Sequence, residues 1–271
     1  MNQPSEIALN YISVAKGKTA QVWYKTLILA VLAGAFIATG AVLATIAGAG
    51  FTGTQSTLIK GAVFPLGLIL VTVCGAELFT GNCLLIAPLI NRDVKLTGVL
   101  KNWGIAYGGN LIGSVIIAVL AVFGHVFGAK GGDTVGLAVS ACINTAAAKS
   151  GMAFSDAFMR GILCNMLVCL AVWAAMASKN IGGKILAVYM PVFAFVVCGF
   201  EHSVANMYYL TAGLMAGAEY GIAASGLTLG NALLYSLLPA TLGNIIGGGL
   251  IAVAYKFVYL KRNKEPVATD N

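Results

Sequence analysis

Two glutamates and one histidine stand within stretches of this sequence that are otherwise almost wholly apolar. Glu77 and Glu201 are the only acidic residues deep inside those stretches, and His202 directly follows Glu201. A carboxylate in an apolar medium is costly unless it faces water or polar partners, and an imidazole can take up a proton near neutral pH. These three residues predict a polar, titratable site inside an apolar protein.

The acidic positions belong to an internal repeat. Val-Cys-Gly-Ala-Glu ends at Glu77 and is followed by Asn82, while Val-Cys-Gly-Phe-Glu ends at Glu201 and is followed by Asn206, a shift of 124 positions for every matching residue. Small and polar residues around each glutamate weaken a helix. We therefore expect two broken helices, with breaks at residues 77–82 and 201–206.

Long apolar segments must position the two repeats, because a helix needs about 20 residues to cross a membrane. Six segments qualify: residues 26–50, 61–90, 103–127, 157–178, 186–209 and 227–257. A second matching pair, Gly-Asn-Leu-Ile-Gly and Gly-Asn-Ile-Ile-Gly, follows in the same order in each half. Three crossings per half make the second half enter from the opposite side, which predicts an all-α, inverted 3+3 repeat.

The composition agrees with a membrane protein and excludes a water-soluble one. Hydrophobic residues make up 59% and charged residues 9% of the 271 residues, whereas soluble domains carry about 25% charged residues. The net charge of +7 lies mainly at segment ends, so we do not assign it to nucleic acid. No nucleophile–base pair, metal cluster or phosphate loop is evident, so we expect neither an enzyme nor a cofactor.

The positive charges predict the orientation and the domain limits. Four of the 16 Lys and Arg residues fall on one side of the predicted segments (Lys60, Lys130, Lys149 and Arg160), and the other 12 fall on the side of both termini. The positive-inside rule then places both termini in the cytoplasm. We predict an amphipathic helix in residues 1–25, a channel domain in residues 26–258 and a cytoplasmic tail in residues 259–271.

The amphipathic assignment of residues 1–25 depends on helical spacing of the apolar side chains. Ile7, Tyr11, Val14 and Ala15 recur at that spacing. Such a helix lies in the headgroup layer and does not cross it.

At the repeated elements the sequence resembles the formate/nitrite transporter family, which also includes hydrosulfide channels. The motifs that carry the resemblance are Gly-Ala-Glu-Leu-Phe-Thr-Gly-Asn at 75–82, Lys-Asn-Trp at 101–103 with Gly-Asn at 109–110, Arg-Gly-Ile-Leu-Cys-Asn-Met-Leu-Val at 160–168, and Gly-Phe-Glu-His-Ser-Val-Ala-Asn-Met at 199–207. The resemblance implies a homopentamer in the cytoplasmic membrane. Each protomer would be an aquaporin-like bundle with its own pore for small monovalent anions.

The resemblance also implies roles for single residues. The pore centre would be His202, with Thr80, Asn165, Glu201 and Asn206. Phe64 and Phe195 would form the outer apolar constriction and Leu68, Leu78 and Val168 the inner one. The loop Leu78, Phe79 and Thr80 would be a movable gate, the N-terminal helix would cover the inner mouth, and Lys149 would attract anions to the outer vestibule. His125 matches no family motif, and we interpret it as an interface residue.

The sequence leaves the mechanism and the substrate open. His202 could stay positive and hold the anion, or the anion could take a proton and pass as the neutral acid, which avoids most of the desolvation cost. Formate, nitrite and hydrosulfide all fit. Gly81 stands where the formate subtype more often has Ser, which makes the other two anions equally plausible. A proton-coupled transporter of the same anions is an alternative. A neutral-solute channel is disfavoured, because the Asn-Pro-Ala triplets of aquaporins are absent.

Overall fold

The computed structural model describes residues 1–130 and 136–260, and this part of the chain contains helices and no strand. The helices in chain order are α1 Pro4–Ala20, α2 Trp23–Gly48, α3 Gly53–Cys74, α4 Phe79–Ile90, α5 Leu96–Phe123, α6 Leu137–Ser150, α7 Phe154–Ala177, α8 Ile181–Val197, α9 Ser203–Glu219 and α10 Leu229–Tyr259. The predicted C-terminal tail comprises residues 259–271, and its residues from 261 onward lie outside the described part of the chain.

Five of the described helices, α2, α3, α5, α7 and α10, are long and apolar enough to cross a membrane. The predicted segment 186–209 differs from this pattern, because it is divided between α8 and α9. The predicted segment 61–90 is likewise divided between α3 and α4, and α3 begins earlier, at Gly53. Helix α6 has no counterpart among the predicted segments.

Glycines in the left-handed region end the helices that precede both acidic positions. Gly75 has φ +77° after α3, and Gly199 has φ +66° after α8. Glycine adopts this conformation without steric cost, which makes it the usual helix terminator. The non-helical residues are therefore 75–78 and 198–202. These stretches begin earlier than the predicted ones, and the residues from Phe79 and from Ser203 onward are already helical.

The two halves pack in the same way. Helix α2 lies against α5, and helix α7 lies against α10. The last glycines of the repeated Gly-Asn-Leu-Ile-Gly and Gly-Asn-Ile-Ile-Gly motifs bring the backbones into contact. A Cβ at Gly113 would overlap the carbonyl oxygen of Val31, and a Cβ at Gly247 would overlap that of Ile162. Small residues at such crossings allow close helix approach.

Helix α1 is docked at its beginning and along its apolar face. The backbone N–H of Asn2 donates to Ala177 O at 2.8 Å, and its side-chain amide donates to Met176 O at 2.9 Å. The Tyr11 ring lies 6.3 Å from that of Trp173. Ile7, Tyr11 and Ala15 are buried as predicted from their spacing, whereas Val14 is exposed.

Candidate functional site

The first non-helical stretch, residues 75–78, is held by the side chain of one asparagine. Asn110 is fully buried, and its Nδ2 donates to Ala30 O at 2.8 Å and to Glu77 O at 2.9 Å. Its Oδ1 accepts from the N–H of Phe79, the first residue of α4, at 2.9 Å. Backbone groups without a helical partner must be satisfied inside an apolar protein, and Asn110 does this for the stretch.

The second stretch, residues 198–202, is held in the same way by Asn244. Its Nδ2 donates to Gly161 O at 2.8 Å and to Glu201 O at 2.9 Å, and its Oδ1 accepts from the N–H of Ser203 at 2.8 Å. The three bonds match those of Asn110 donor for donor. The internal repeat therefore extends from the sequence to individual hydrogen bonds.

Glu77 is paired with a lysine of helix α1. Lys18 Nζ lies 2.6 Å from Glu77 Oε1, and Asn82 Nδ2 donates to Glu77 Oε2 at 2.7 Å. Asn102 Nδ2 donates to the same oxygen, Glu77 Oε2, at 3.4 Å, and Asn102 Oδ1 accepts from Asn82 Nδ2 at 2.8 Å. Glu77 is 6% exposed, so these partners take the place of water around its carboxylate.

Glu201 has the equivalent partners in the second half. Lys149 Nζ lies 2.8 Å from both carboxylate oxygens. Asn206 Nδ2 donates to Glu201 Oε2 at 2.7 Å and to Ser236 Oγ at 3.1 Å. The positive charge of Lys149 is therefore compensated by the buried carboxylate of Glu201.

His202 lies at the junction of the two halves, and its two ring nitrogens have different partners. Nδ1 accepts from the backbone N–H of Ala205 at 3.0 Å, which makes His202 the N-cap of α9. Nε2 lies 2.9 Å from Thr80 Oγ1. Because Nδ1 is an acceptor, the proton of the neutral ring is on Nε2, which donates to the Thr80 hydroxyl. The hydroxyl proton of Thr80 is then available to another acceptor.

Asn165 joins the same junction from helix α7. Its Nδ2 donates to Thr80 O at 3.1 Å and to Asn244 O at 2.6 Å. Its Oδ1 is buried and has no hydrogen-bond partner in the described part of the chain. Asn165 thereby links the backbone of Thr80 in the first half to the backbone of Asn244 in the second half.

Two cavities approach this junction. The first, here called the Lys149 cavity, has a volume of about 160 Å³ and is lined by Lys149, His202, Phe64 and Phe195 among others. The rings of Phe64 and Phe195 meet edge to face with centroids 5.9 Å apart, and the ring of Phe195 stacks on the imidazole at 5.9 Å. The polar junction is thus bordered by aromatic side chains on this side.

The second cavity, here called the α1 cavity, has a volume of about 440 Å³. Leu68 and Leu78 line it, and Tyr11 and Lys18 of helix α1 lie across it. Val168 is buried one turn from Val172, which also lines it. The residues of the expected inner constriction therefore lie at or next to this cavity.

Not every expected residue lies at the junction. Phe79 packs against Trp103 and Tyr107, at centroid distances of 6.0 and 4.9 Å. His125 lies elsewhere, with Nε2 at 3.4 Å from Glu219 Oε1. No group of three or more His, Cys, Asp or Glu side chains that could hold a metal occurs in residues 1–130 and 136–260.

Sequence reasoning missed several residues of the networks, namely Lys18, Asn102, Asn110, Ser236 and Asn244. The repeated Gly-Asn pair was the signal in the sequence that could have pointed to Asn110 and Asn244. Lys18 carries no such signal, because its partner Glu77 is 59 positions away.

An apolar helical bundle with two matched non-helical stretches and a buried polar junction beside two cavities is typical of membrane transport proteins. A family model described as formate/nitrite transporter matches residues 5–258. The chain belongs to the formate/nitrite transporter family.

Curated relatives and solved structures agree with this assignment. The chain is 37% identical to a probable formate transporter of Methanothermobacter thermautotrophicus, over 95% of this chain and 97% of the relative. It is also 37% identical to the formate channel FocA of Escherichia coli K12, over 88% of each chain. Among solved structures it is similar to an FNT family ion channel (TM-score 0.81, 28% identity, 94% of this chain and 97% of the other). It is also similar to a pentameric formate channel with formate bound (TM-score 0.76, 31% identity, 88% and 98%).

Proposed function

We propose that this chain is a channel for small monovalent anions of weak acids, with formate as its substrate, and that His202 links passage to protonation. The observation that carries the proposal is the His202–Thr80 pair at 2.9 Å. His202 lines the Lys149 cavity, and Gly81, which follows Thr80, lines the α1 cavity. The pair offers hydrogen-bond donors at a polar point between two apolar constrictions. Phe64 and Phe195 form the outer constriction, and Leu68, Leu78 and Val168 form the inner one.

The membrane topology that we propose has six crossings, two of them interrupted. Helix α8 has 17 residues, which span about 25 Å, less than the roughly 30 Å of the hydrocarbon core. Helix α8 followed by α9 is long enough, and so is α3 followed by α4. Both termini then lie on the cytoplasmic side of the inner membrane, in agreement with the positive-inside rule.

The geometry of His202 supports passage of the neutral acid. A second proton on the imidazole would occupy Nδ1, which already accepts from the N–H of Ala205. Such a proton would have to displace this cap, so a permanently positive His202 is disfavoured. Uptake of a proton by His202 is instead coupled to release of the first turn of α9. A neutral acid also crosses the aromatic constriction without the desolvation cost of an anion.

The names of the relatives favour formate over the other two anions. Both quoted curated relatives are named for formate, and one solved structure is a formate channel with formate bound. That structure is pentameric, which supports a homopentamer here, with one pore in each protomer. Gly81, the departure from the formate subtype, is the reason to test nitrite and hydrosulfide beside formate.

Flux into liposomes that contain the purified protein tests this proposal. We expect formate influx that greatly exceeds that of empty liposomes and does not saturate in the manner of a carrier, accompanied by single-channel currents. Nitrite and hydrosulfide are measured in the same preparation. Absence of flux for all three anions, or swelling in glycerol, would contradict the proposal. Saturating flux without currents would favour the proton-coupled transporter.

A further inference from the structure

We propose that Lys60 is an anion-binding residue at the mouth of the Lys149 cavity and that it supplies the cavity's net positive charge. This inference rests on the proposed function, because it assigns the first contact of the anion with the pore. The ligand is the small monovalent anion itself, held by the ammonium group before it reaches Phe64 and Phe195.

The charges that line the Lys149 cavity cancel except for that of Lys60. Its titratable lining residues are Lys60, Lys149, Glu201, His202 and Tyr209. Lys149 and Glu201 form a two-point ion pair at 2.8 Å, so together they contribute no net charge. His202 is neutral while its Nδ1 accepts from the backbone N–H of Ala205, and a tyrosine phenol is uncharged near neutral pH.

Lys60 has an ammonium group that no protein group compensates. It is half-buried, and within residues 1–130 and 136–260 it has no hydrogen-bond or ion-pair partner. Its side-chain carbons pack against Gly48, where a Cβ would collide with them. The stem is therefore fixed by packing while the charged end has three free donors.

The place of Lys60 in helix α3 puts it ahead of the aromatic constriction. It precedes Phe64 by one turn, and its carbonyl oxygen accepts from the Phe64 N–H at 2.9 Å. An anion entering from the Lys60 end thus meets an uncompensated cation before the apolar rings. A single positive charge in a narrow, weakly solvated cavity raises the local anion concentration.

Neutral and charge-conserving variants test this role. We expect Lys60→Met to lower initial formate influx by about fivefold, the size of a partly exposed charge pair, because the local formate concentration at the cavity mouth falls. Lys60→Arg should remain close to wild type. The matched control is Lys130→Met, which removes another lysine of the same side that is 59% exposed and paired with Glu219, and it should leave the initial influx unchanged. Equal initial influx for Lys60→Met and wild type would overturn the inference.

A binding measurement separates this inference from the proposed function. Formate should raise the thermal unfolding temperature of the detergent-solubilised wild type, and Lys60→Met should lose most of that rise while Lys130→Met keeps it. If the wild type transports no anion but shows this pattern, the proposed function fails and the role of Lys60 stands. Equal rises in Lys60→Met and wild type, or no rise in the wild type, would overturn the role of Lys60.

Discussion

Each buried glutamate of this chain has a lysine and an asparagine as partners, and the partner lysine comes from a different helix. Lys18 in α1 serves Glu77, and Lys149 in α6 serves Glu201. Removing one partner of a buried pair leaves an uncompensated charge, which costs more than removing both. The lysines therefore stabilise the breaks through their glutamates.

We expect Lys149→Met to lower the free energy of unfolding by about 3 kcal/mol, because Glu201 is then buried without its cation. The double variant Lys149→Met/Glu201→Gln should recover most of this loss, since a glutamine oxygen can still accept from Asn206. Denaturant unfolding in detergent micelles measures both. Lys130→Met is the control, because the Lys130 side chain is 59% exposed and its pair with Glu219 should be worth less than about 1 kcal/mol. Equal losses in the single and double variants would contradict the pairing account.

The two non-helical stretches are equivalent elements, each fixed by one asparagine from the long helix that ends its half. Asn110 and Asn244 both have zero exposure and make the same three hydrogen bonds. Helix α4 and helix α9 thus begin at positions set by a side chain outside them. The positions of Thr80 and His202 therefore depend on the hydrogen bonds of Asn110 and Asn244.

Asn110→Ala and Asn244→Ala should each destabilise the protein by about 2 kcal/mol, because each leaves one buried N–H and two buried C=O groups without their side-chain partner. The two losses should agree within about 1 kcal/mol, since the bonds match. Asn180→Ala is the control: Asn180 is an exposed helix cap, and its loss should cost about 1 kcal/mol. Thermal or denaturant unfolding provides the values. A large loss for only one of Asn110→Ala and Asn244→Ala would show that the halves are not equivalent.

The sequence predicted these elements well where hydropathy alone defines them. Helices α2, α5, α7 and α10 lie within a few residues of predicted segments, except that α5 begins at Leu96 and not at 103. The divided segments could not be delimited, because Cys198, Gly199 and Phe200 keep the hydropathy high through the non-helical stretch. The glutamates marked the right neighbourhood, but positive-φ glycines end the helices.

The site was predictable only in part, because its residues meet through tertiary contacts. Thr80 and His202 are 122 positions apart, and the resemblance, not their spacing, brought them together. Helix α6 was missed although Val139, Cys142, Ile143 and Ala146 recur at helical spacing and are buried. Its short apolar face is too small to register as a membrane segment.

The whole molecule combines two matched halves around one polar junction, and we propose on this basis that the protomer is the unit of passage. In the pentamer that we propose, the fivefold axis is not the substrate path. His202 lines the Lys149 cavity, and Gly81, which follows Thr80, lines the α1 cavity. Each subunit should then conduct independently of its neighbours.

Leu68→Trp should block one protomer, because a larger ring at the α1 cavity would fill the inner constriction. In oligomers mixed from wild-type and Leu68→Trp subunits, formate flux should fall in direct proportion to the fraction of variant subunits. Flux that collapses when one subunit per oligomer carries the variant would indicate a shared path.

The pH dependence of formate flux in wild type and His202→Asn tests most directly whether the imidazole links passage to protonation. Asparagine can also cap a helix N-terminus, so the variant should fold, with an unfolding temperature near that of the wild type, but it cannot titrate. Both proteins meet the same formate solution, so any difference in their pH profiles comes from residue 202. We expect wild-type flux to rise more steeply than variant flux as the pH falls from about 8 to about 5, because only the imidazole can exchange a proton with the passing anion. Superimposable profiles would contradict the role of His202.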